Sequence, residues 1–261
     1  MPDDLSTDFF VAHGERDPLR SVKSQTRRKL PKRFFKDVTV APRDNAHAIL
    51  LDGKAVRTPA GGVLALPAPG AAELVAAEWR AQGEYIDPSS MPVTRLVNSA
   101  LDGVSRDAAG VAADIVNYAG SDLVCYRAGE PEGLIAAQSA AWDPALAFAR
   151  EKLGARFALA EGVMFVQQPL EAIAAIARAV LRYESMPLKL AALHSMTTLT
   201  GSALLALMIA EGGQAVEDAW RAAHVDEDYQ MRLWGADTEA LARRAGRFVD
   251  MKAAADLLAA L

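Results

Sequence analysis

The chain has 261 residues, 51% hydrophobic and 23% charged, enough apolar side chain for one large or two ordinary domains and too much for global disorder. Its net charge of -5 and pI near 5.5 argue against nucleic acid as the main partner, since phosphate-binding surfaces carry a positive surplus. One cysteine, Cys125, excludes an internal disulfide and fits a reducing compartment.

Residues 1–30 read as a polar, basic arm. The opening Met-Pro-Asp-Asp-Leu-Ser-Thr-Asp, with acids and no apolar run after it, fits neither a secretory signal nor an Arg-rich transit peptide. Eight basic residues and no acid lie between Arg20 and Lys36, a pattern of a solvated arm or of one that meets an acidic surface. Strand signals follow: Phe34 to Val40, Ala46 to Leu51, an Asp52-Gly53 hairpin turn into Lys54–Thr58, and a short strand Val63–Leu66. Pro67 and Pro69 end this meander. Helical periodicity begins at Ala71, with further helices over Leu96–Leu101 and Ala108–Tyr118 and a return strand over Leu123–Tyr126. The expected fold class is α+β, a β-rich domain over residues 31–127 and an all-helical domain over 128–261.

In the second half, Pro131–Leu153, Leu170–Tyr183, Leu188–Ala210, Val216–Ala223, Asp226–Trp234 and Thr238–Leu258 read as helices, with a β-like stretch at Phe157–Gln167. Leu190–Ala210 is uncharged and long enough to span a bilayer. Its polar residues, from His194 to Ser202, favour a buried helix instead.

Catalytic signals are weak. The four histidines have no ligand spacing, so no metal is expected. His194 reads as a satisfied buried side chain rather than a base for its neighbour Ser195, because adjacent helix positions diverge. Cys125, among apolar neighbours, reads as an inert thiol. No glycine cluster matches a phosphate loop, so no nucleotide cofactor is expected.

The richest stretch is Asp226-Glu227-Asp228-Tyr229-Gln230-Met231-Arg232-Leu233-Trp234-Gly235, with Asp237 and Glu239 beyond it. Its acids suit the first turn of a helix, and Asp237 or Thr238 suits an N-cap. Glu227, Asp228, Gln230, Trp234, Asp237 and Glu239 are the candidate partner-binding residues, with Trp234 either an anchor or a plug closing a helix end. Two rivals stay open: an acid-dependent hydrolase or transferase using Asp228 and Glu239, and a nucleic-acid adaptor using the basic arm.

A family resemblance emerges from several pieces taken in order. They are Arg33-Phe34-Phe35, Leu51-Asp52-Gly53-Lys54, Thr58-Pro59, Glu78-Trp79, Met91 to Asp102, and Asp122-Leu123-Val124-Cys125-Tyr126-Arg127. Gln138 with Trp142-Asp143-Pro144, and Tyr229-Gln230 through Trp234-Gly235 to Glu239, complete them. Over about residues 33–239 the chain resembles the assembly chaperones of the F-type ATP synthase catalytic head that hold its alpha subunit. The resemblance implies a non-enzymatic protein with no cofactor and no small-molecule substrate. It implies a β-rich N-terminal domain, a helical C-terminal domain and the unassembled alpha subunit as partner. Eukaryotic members work in the mitochondrial matrix, and the first residues here suggest a bacterial cytoplasmic member or a mature form.

Overall fold

The computed structural model describes residues 30–162 and 164–261. The chain divides into two compact units, Met1–Gly103 with Ala260–Leu261, and Val104–Ala259. Most of the basic arm, including Arg20, Lys23, Arg27, Arg28 and Lys29, lies outside the described residues.

The N-terminal unit is built on a small antiparallel sheet. Strand β1 (Val38–Arg43) pairs with β2 (Ala46–Leu51), and β2 pairs with β3 (Lys54–Ala55) and β4 (Ala65–Leu66). Both hairpin turns have two residues with positive φ, Asp44-Asn45 and Asp52-Gly53, the conformation that matches strand twist. Ile49, Leu64 and Leu66 point into a core closed by Ala71, Ala72, Val75 and Ala76 of α1 (Pro69–Arg80) and by Val97 of α2 (Pro92–Asp102). The expected strand from Phe34 begins only at Val38. Before it, the guanidinium of Arg33 holds the backbone in another path, donating to the carbonyls of Phe35 (3.1 Å), Lys36 (3.2 Å), Arg80 (3.3 Å) and Gln82 (2.5 Å).

Carboxylates fix the helix starts and turns of this unit. Glu78 on α1 accepts from the Val93 and Thr94 N–H groups, each at 2.7 Å, and from the Thr94 hydroxyl at 2.6 Å. It thereby caps α2, whose first N–H groups have no partner within their own helix. Asp102 accepts from the Thr58 hydroxyl (2.6 Å) and the Ala60 N–H (2.9 Å), tying the end of α2 to the turn after β3.

The C-terminal unit holds α3 (Ala108–Gly120), α4 (Glu132–Phe148, continued by one π-turn to Leu153), α5 (Leu170–Leu181), α6 (Pro187–Thr200), α7 (Ala203–Ala210), α8 (Val216–Ala223), α9 (Val225–Trp234) and α10 (Thr238–Ala259). Its core is Trp142, Ile176, Leu190, Leu193, Met196, Leu204, Leu205, Leu207, Met251 and Leu257. Besides its helices the unit holds a short pair of strands, the second inside the stretch expected to be β-like. The expected return strand over Leu123–Tyr126 is a 3₁₀ turn (Leu123–Cys125) followed by β5 (Tyr126–Arg127), which pairs in parallel with β6 (Ala160–Glu161). The second unit begins at Val104, and its α3 packs on α5, α6 and α7.

The uncharged stretch expected as one helix is two. Gly201 takes φ +70° at the end of α6, and the Ser202 hydroxyl accepts from the Leu205 N–H at 3.0 Å to cap α7. No helix among the described residues is long and apolar enough to cross a membrane. Asp122, fully buried, accepts from the Leu204 N–H (3.0 Å) and the Val124 N–H (3.2 Å) and so serves both α7 and the 3₁₀ turn.

Candidate partner-binding site

The end of the chain turns on one residue. Gly235 ends α9 with φ +90° and ψ 164°, a conformation that side chains exclude. The chain re-enters a helix at once, because the Asp237 carboxylate accepts from the Glu239 N–H at 2.8 Å and the Ala240 N–H at 3.4 Å. Asp237, rather than Thr238, is therefore the cap of α10.

This turn borders an open groove of about 800 Å3 in the C-terminal unit. Ala137, Ala140, Ala141 and Pro144 form its α4 wall, a small-residue stripe at i, i+3, i+4 and i+7. Val225, Asp228, Met231 and Arg232 line it from α9, and Ala222 from α8. Leu241 lines it from α10. Apolar surface continues outside: Leu233 is exposed, and Trp234 is 79% exposed. An exposed Trp beside Leu is unusual for a surface with no partner.

The six candidate residues separate into three settings. Glu227, Gln230 and Trp234 share one solvent face of α9 at i, i+3 and i+7. Asp237 and Glu239 sit in the turn, where exposed Glu239 meets Arg243 at 2.6 Å within one helical turn. Asp228 lies on the groove wall and is held by Arg244 of α10, whose second nitrogen donates at 3.2 Å. Asp228 therefore joins α9 to α10 and is partly structural. The Arg232 guanidinium lies 5.2 Å from the Tyr229 ring. The Tyr229 hydroxyl abuts Gly133, where even a Cβ would come within 3.0 Å of it.

Behind the groove a polar relay holds α4 and α9 in place. The Gln138 carbonyl accepts from the Ala128 N–H (2.8 Å), and its amide donates to Asp226 (2.7 Å). The Trp142 indole donates to the Ala222 carbonyl at 2.7 Å. Arg127 stacks 5.3 Å from the Trp142 ring and donates to Asp143 at 2.8 Å and to the Val124 carbonyl at 3.0 Å. The sequence segments at Asp122–Arg127, Gln138 and Trp142–Pro144 are thus the frame of the groove.

Sequence reasoning missed the groove itself. Its α4 stripe is alanine, which marks close helix packing as readily as an open wall, and Arg232, Met231 and Leu241 carried no separate signal. His194 also differs from expectation: it is half-buried and sits 2.8 Å from the Asp114 carboxylate of α3, not enclosed in the core. Cys125 is buried, and burial pushes its thiol up to about 12, first by desolvation and then by the nearby Asp122. Two further carboxyls are pushed up by burial, Glu78, and Asp122 to about 6. Both are occupied by backbone N–H groups at helix starts, and neither lines the groove. Among the described residues no three His, Cys, Asp or Glu side chains form a metal cluster. Of the basic run, Lys32 meets Glu84 at 3.5 Å and Arg33 is spent on backbone carbonyls.

Comparison with known proteins agrees with this architecture. Residues 32–150 match the family model described as ATP12 chaperone protein. The Atu1473 protein of Agrobacterium tumefaciens, assigned as a chaperone, is 53% identical, with a TM-score of 0.86 over 88% of this chain and 86% of that one. Atp12 from Paracoccus denitrificans is 35% identical, with a TM-score of 0.81 over 88% of this chain and 98% of that one. A mutant of the Paracoccus protein with one aspartate replaced by lysine superposes equally well, TM-score 0.81 at 35% identity over 88% of this chain and 97% of that one. With that identity sustained over nearly the full length of both relatives, this chain belongs to the ATP12 chaperone family, the assembly chaperones of the F-type ATP synthase.

Proposed function

We propose that this chaperone holds the unassembled alpha subunit of the F-type ATP synthase through the α9–α10 turn and the groove beside it. The observation that carries this reading is an apolar anchor, Trp234 with Leu233, exposed between an open groove and the acids Glu227, Asp237 and Glu239. A lone subunit exposes apolar interface and unpaired backbone, which invites aggregation. A holder must cover that surface and still let it go. A central aromatic anchor supplies binding energy, and charges on the rim tune the rate of association more than the final affinity. Such a division of labour suits exchange of the client to its next partner. The buried thiol of Cys125 fits work in a reducing compartment, which we take to be a bacterial cytoplasm.

Glu239 and Trp234 are exposed, so replacing them should spare the fold. The Glu239–Arg243 pair is solvent-exposed, and losing it costs at most about 0.5 kcal/mol of stability. Glu239→Lys is expected to weaken binding of purified alpha subunit about fivefold, and Trp234→Ala about tenfold or more. Calorimetric titration of both variants, with their melting temperatures measured alongside, checks this. Unchanged affinity in both folded variants contradicts the placement of the site.

A further inference from the structure

A second cleft, of about 550 Å3, lies within the N-terminal unit between the β2–β3 hairpin, the start of the described chain and helices α1 and α2. Phe35, Val56, Ile86 and Met91 give it an apolar lining, and Phe34 stands at it 72% exposed. Phe34 meets Phe35 edge-on, ring centroids 5.5 Å apart, and the rest of its ring faces outward. The Arg33 guanidinium network puts it there, since fixing the Phe35 and Lys36 carbonyls turns Phe35 in and Phe34 out.

Two polar atoms in the cleft wall add a second observation. The Trp79 Nε1–H and the Asn98 side-chain carbonyl are buried and have no hydrogen-bond partner among the described residues. Asn98 is 4% exposed. Buried polar groups are nearly always paired, so one unpaired donor on α1 and one unpaired acceptor on α2, both on residues that line this cleft, call for an explanation. The charges at the cleft supply a third. Asp52 is committed to the Lys36 and Asp37 N–H groups at 3.0 and 2.8 Å, which hold its carboxyl below the usual range. Exposed Lys54 and Arg57 have no carboxylate partner among the described residues, Arg57 donating to the Gly61 carbonyl at 2.7 Å, so with Asp52 the charge of these lining residues is net positive.

We propose that this cleft is a second docking site of the chaperone, taking an extended client segment that carries a large apolar side chain next to a carboxylate. The apolar side chain fills the space lined by Phe35, Val56, Ile86 and Met91 and packs against Phe34. The carboxylate meets Lys54 and Arg57. The backbone of an extended segment has one carbonyl and one N–H to offer per residue, which are the acceptor and donor that Trp79 and Asn98 lack. Solvent does not reach either atom with the cleft as it stands, so pairing them takes a side-chain adjustment of the kind common at interfaces. This inference rests on the chaperone reading and adds to it a site for chain that is not yet folded, alongside one for a folded face.

The test uses the full chain and short synthetic peptides with a central Leu-Phe-Leu flanked by glutamates, flanked by lysines, or replaced by serines. The readout is the Trp79 indole N–H resonance, identified from its loss in Trp79→Phe. The glutamate-flanked peptide is expected to shift that resonance and the serine peptide to leave it in place. The glutamate-flanked peptide should bind about tenfold more tightly than the lysine-flanked one, and the double variant Lys54→Glu, Arg57→Glu should reverse the order. A Trp79 resonance unmoved by every peptide, or affinity indifferent to peptide charge in the unaltered chain, overturns the proposal. Binding of the alpha subunit, measured in parallel, separates the two readings: peptides that fail while the subunit still binds remove the cleft and leave the chaperone function standing.

Discussion

At the scale of single residues, the acids of this protein divide into those that build the fold and those that remain available. Glu78, Asp102 and Asp122 each accept two or more hydrogen bonds from turns and helix starts, where unpaired N–H groups need an acceptor. Glu227 and Glu239 spend little or nothing on the fold. Asp122 carries a pH signature. Full burial raises its carboxyl from 3.8 to about 6, against the lowering effect of Ser202 and three backbone N–H groups. Between those two values the folded protein holds a proton that the unfolded chain has released, so this group's contribution to stability falls as pH rises through the window. A shift of this size corresponds to about 3 kcal/mol. Asp122→Asn removes the titration, and its destabilisation relative to the unaltered protein is expected to be smaller at pH 7 than at pH 4. Urea midpoints at the two pH values check this. A destabilisation that grows with pH contradicts the buried-acid account.

At the scale of elements, the α9–Gly235–α10 turn is the feature on which presentation of Trp234 and Glu239 depends. Gly235 sits at a φ that an L side chain reaches only with strain, so Gly235→Ala is expected to cost about 1–3 kcal/mol. Because a Cβ there meets no atom within 4 Å, the cost is conformational rather than steric crowding. The variant should lose client affinity even where it stays folded, since the α10 cap moves relative to Trp234. Thermal melts and binding assays on it together test this, and a variant of unchanged stability contradicts the strain argument. The sequence made this turn legible: Trp-Gly followed by an acid two residues on is a helix stop and a helix start. The Asp52-Gly53 hairpin was legible for the same reason, a residue pair that tolerates positive φ. Asp44-Asn45 turns in the same way but lacks the glycine that makes such a pair stand out in a sequence. Phe34 and Phe35 suggest a strand, whereas Arg33 sets that backbone by donating to the Arg80 and Gln82 carbonyls, 47 and 49 residues away in the chain. The 3₁₀ turn at Leu123–Cys125 was also hidden: its cause, Asp122 bonded to the start of α7, lies eighty-two residues away in the chain. The candidate acids were found as a group, but their separate roles depend on α10 returning past α9, which no local pattern announces.

At the scale of the whole molecule, each unit carries an exposed apolar side chain with charged surroundings: acids beside Trp234 in the helical unit, and Lys54 with Arg57 at the cleft that Phe34 lines in the β-rich unit. Much of what identifies the family in sequence serves to frame these sites. Arg33, Glu78, Asp102, Asp122, Arg127, Gln138 and Trp142 all bind structure of their own unit. The central claim is that the alpha subunit is held at the α9–α10 turn and the adjoining groove. Hydrogen exchange of the full chain, free and with purified alpha subunit bound, tests it most directly. The account predicts slowed exchange across residues 225–241 in the complex. A complex that forms while exchange across those residues stays as fast as in the free protein would contradict it.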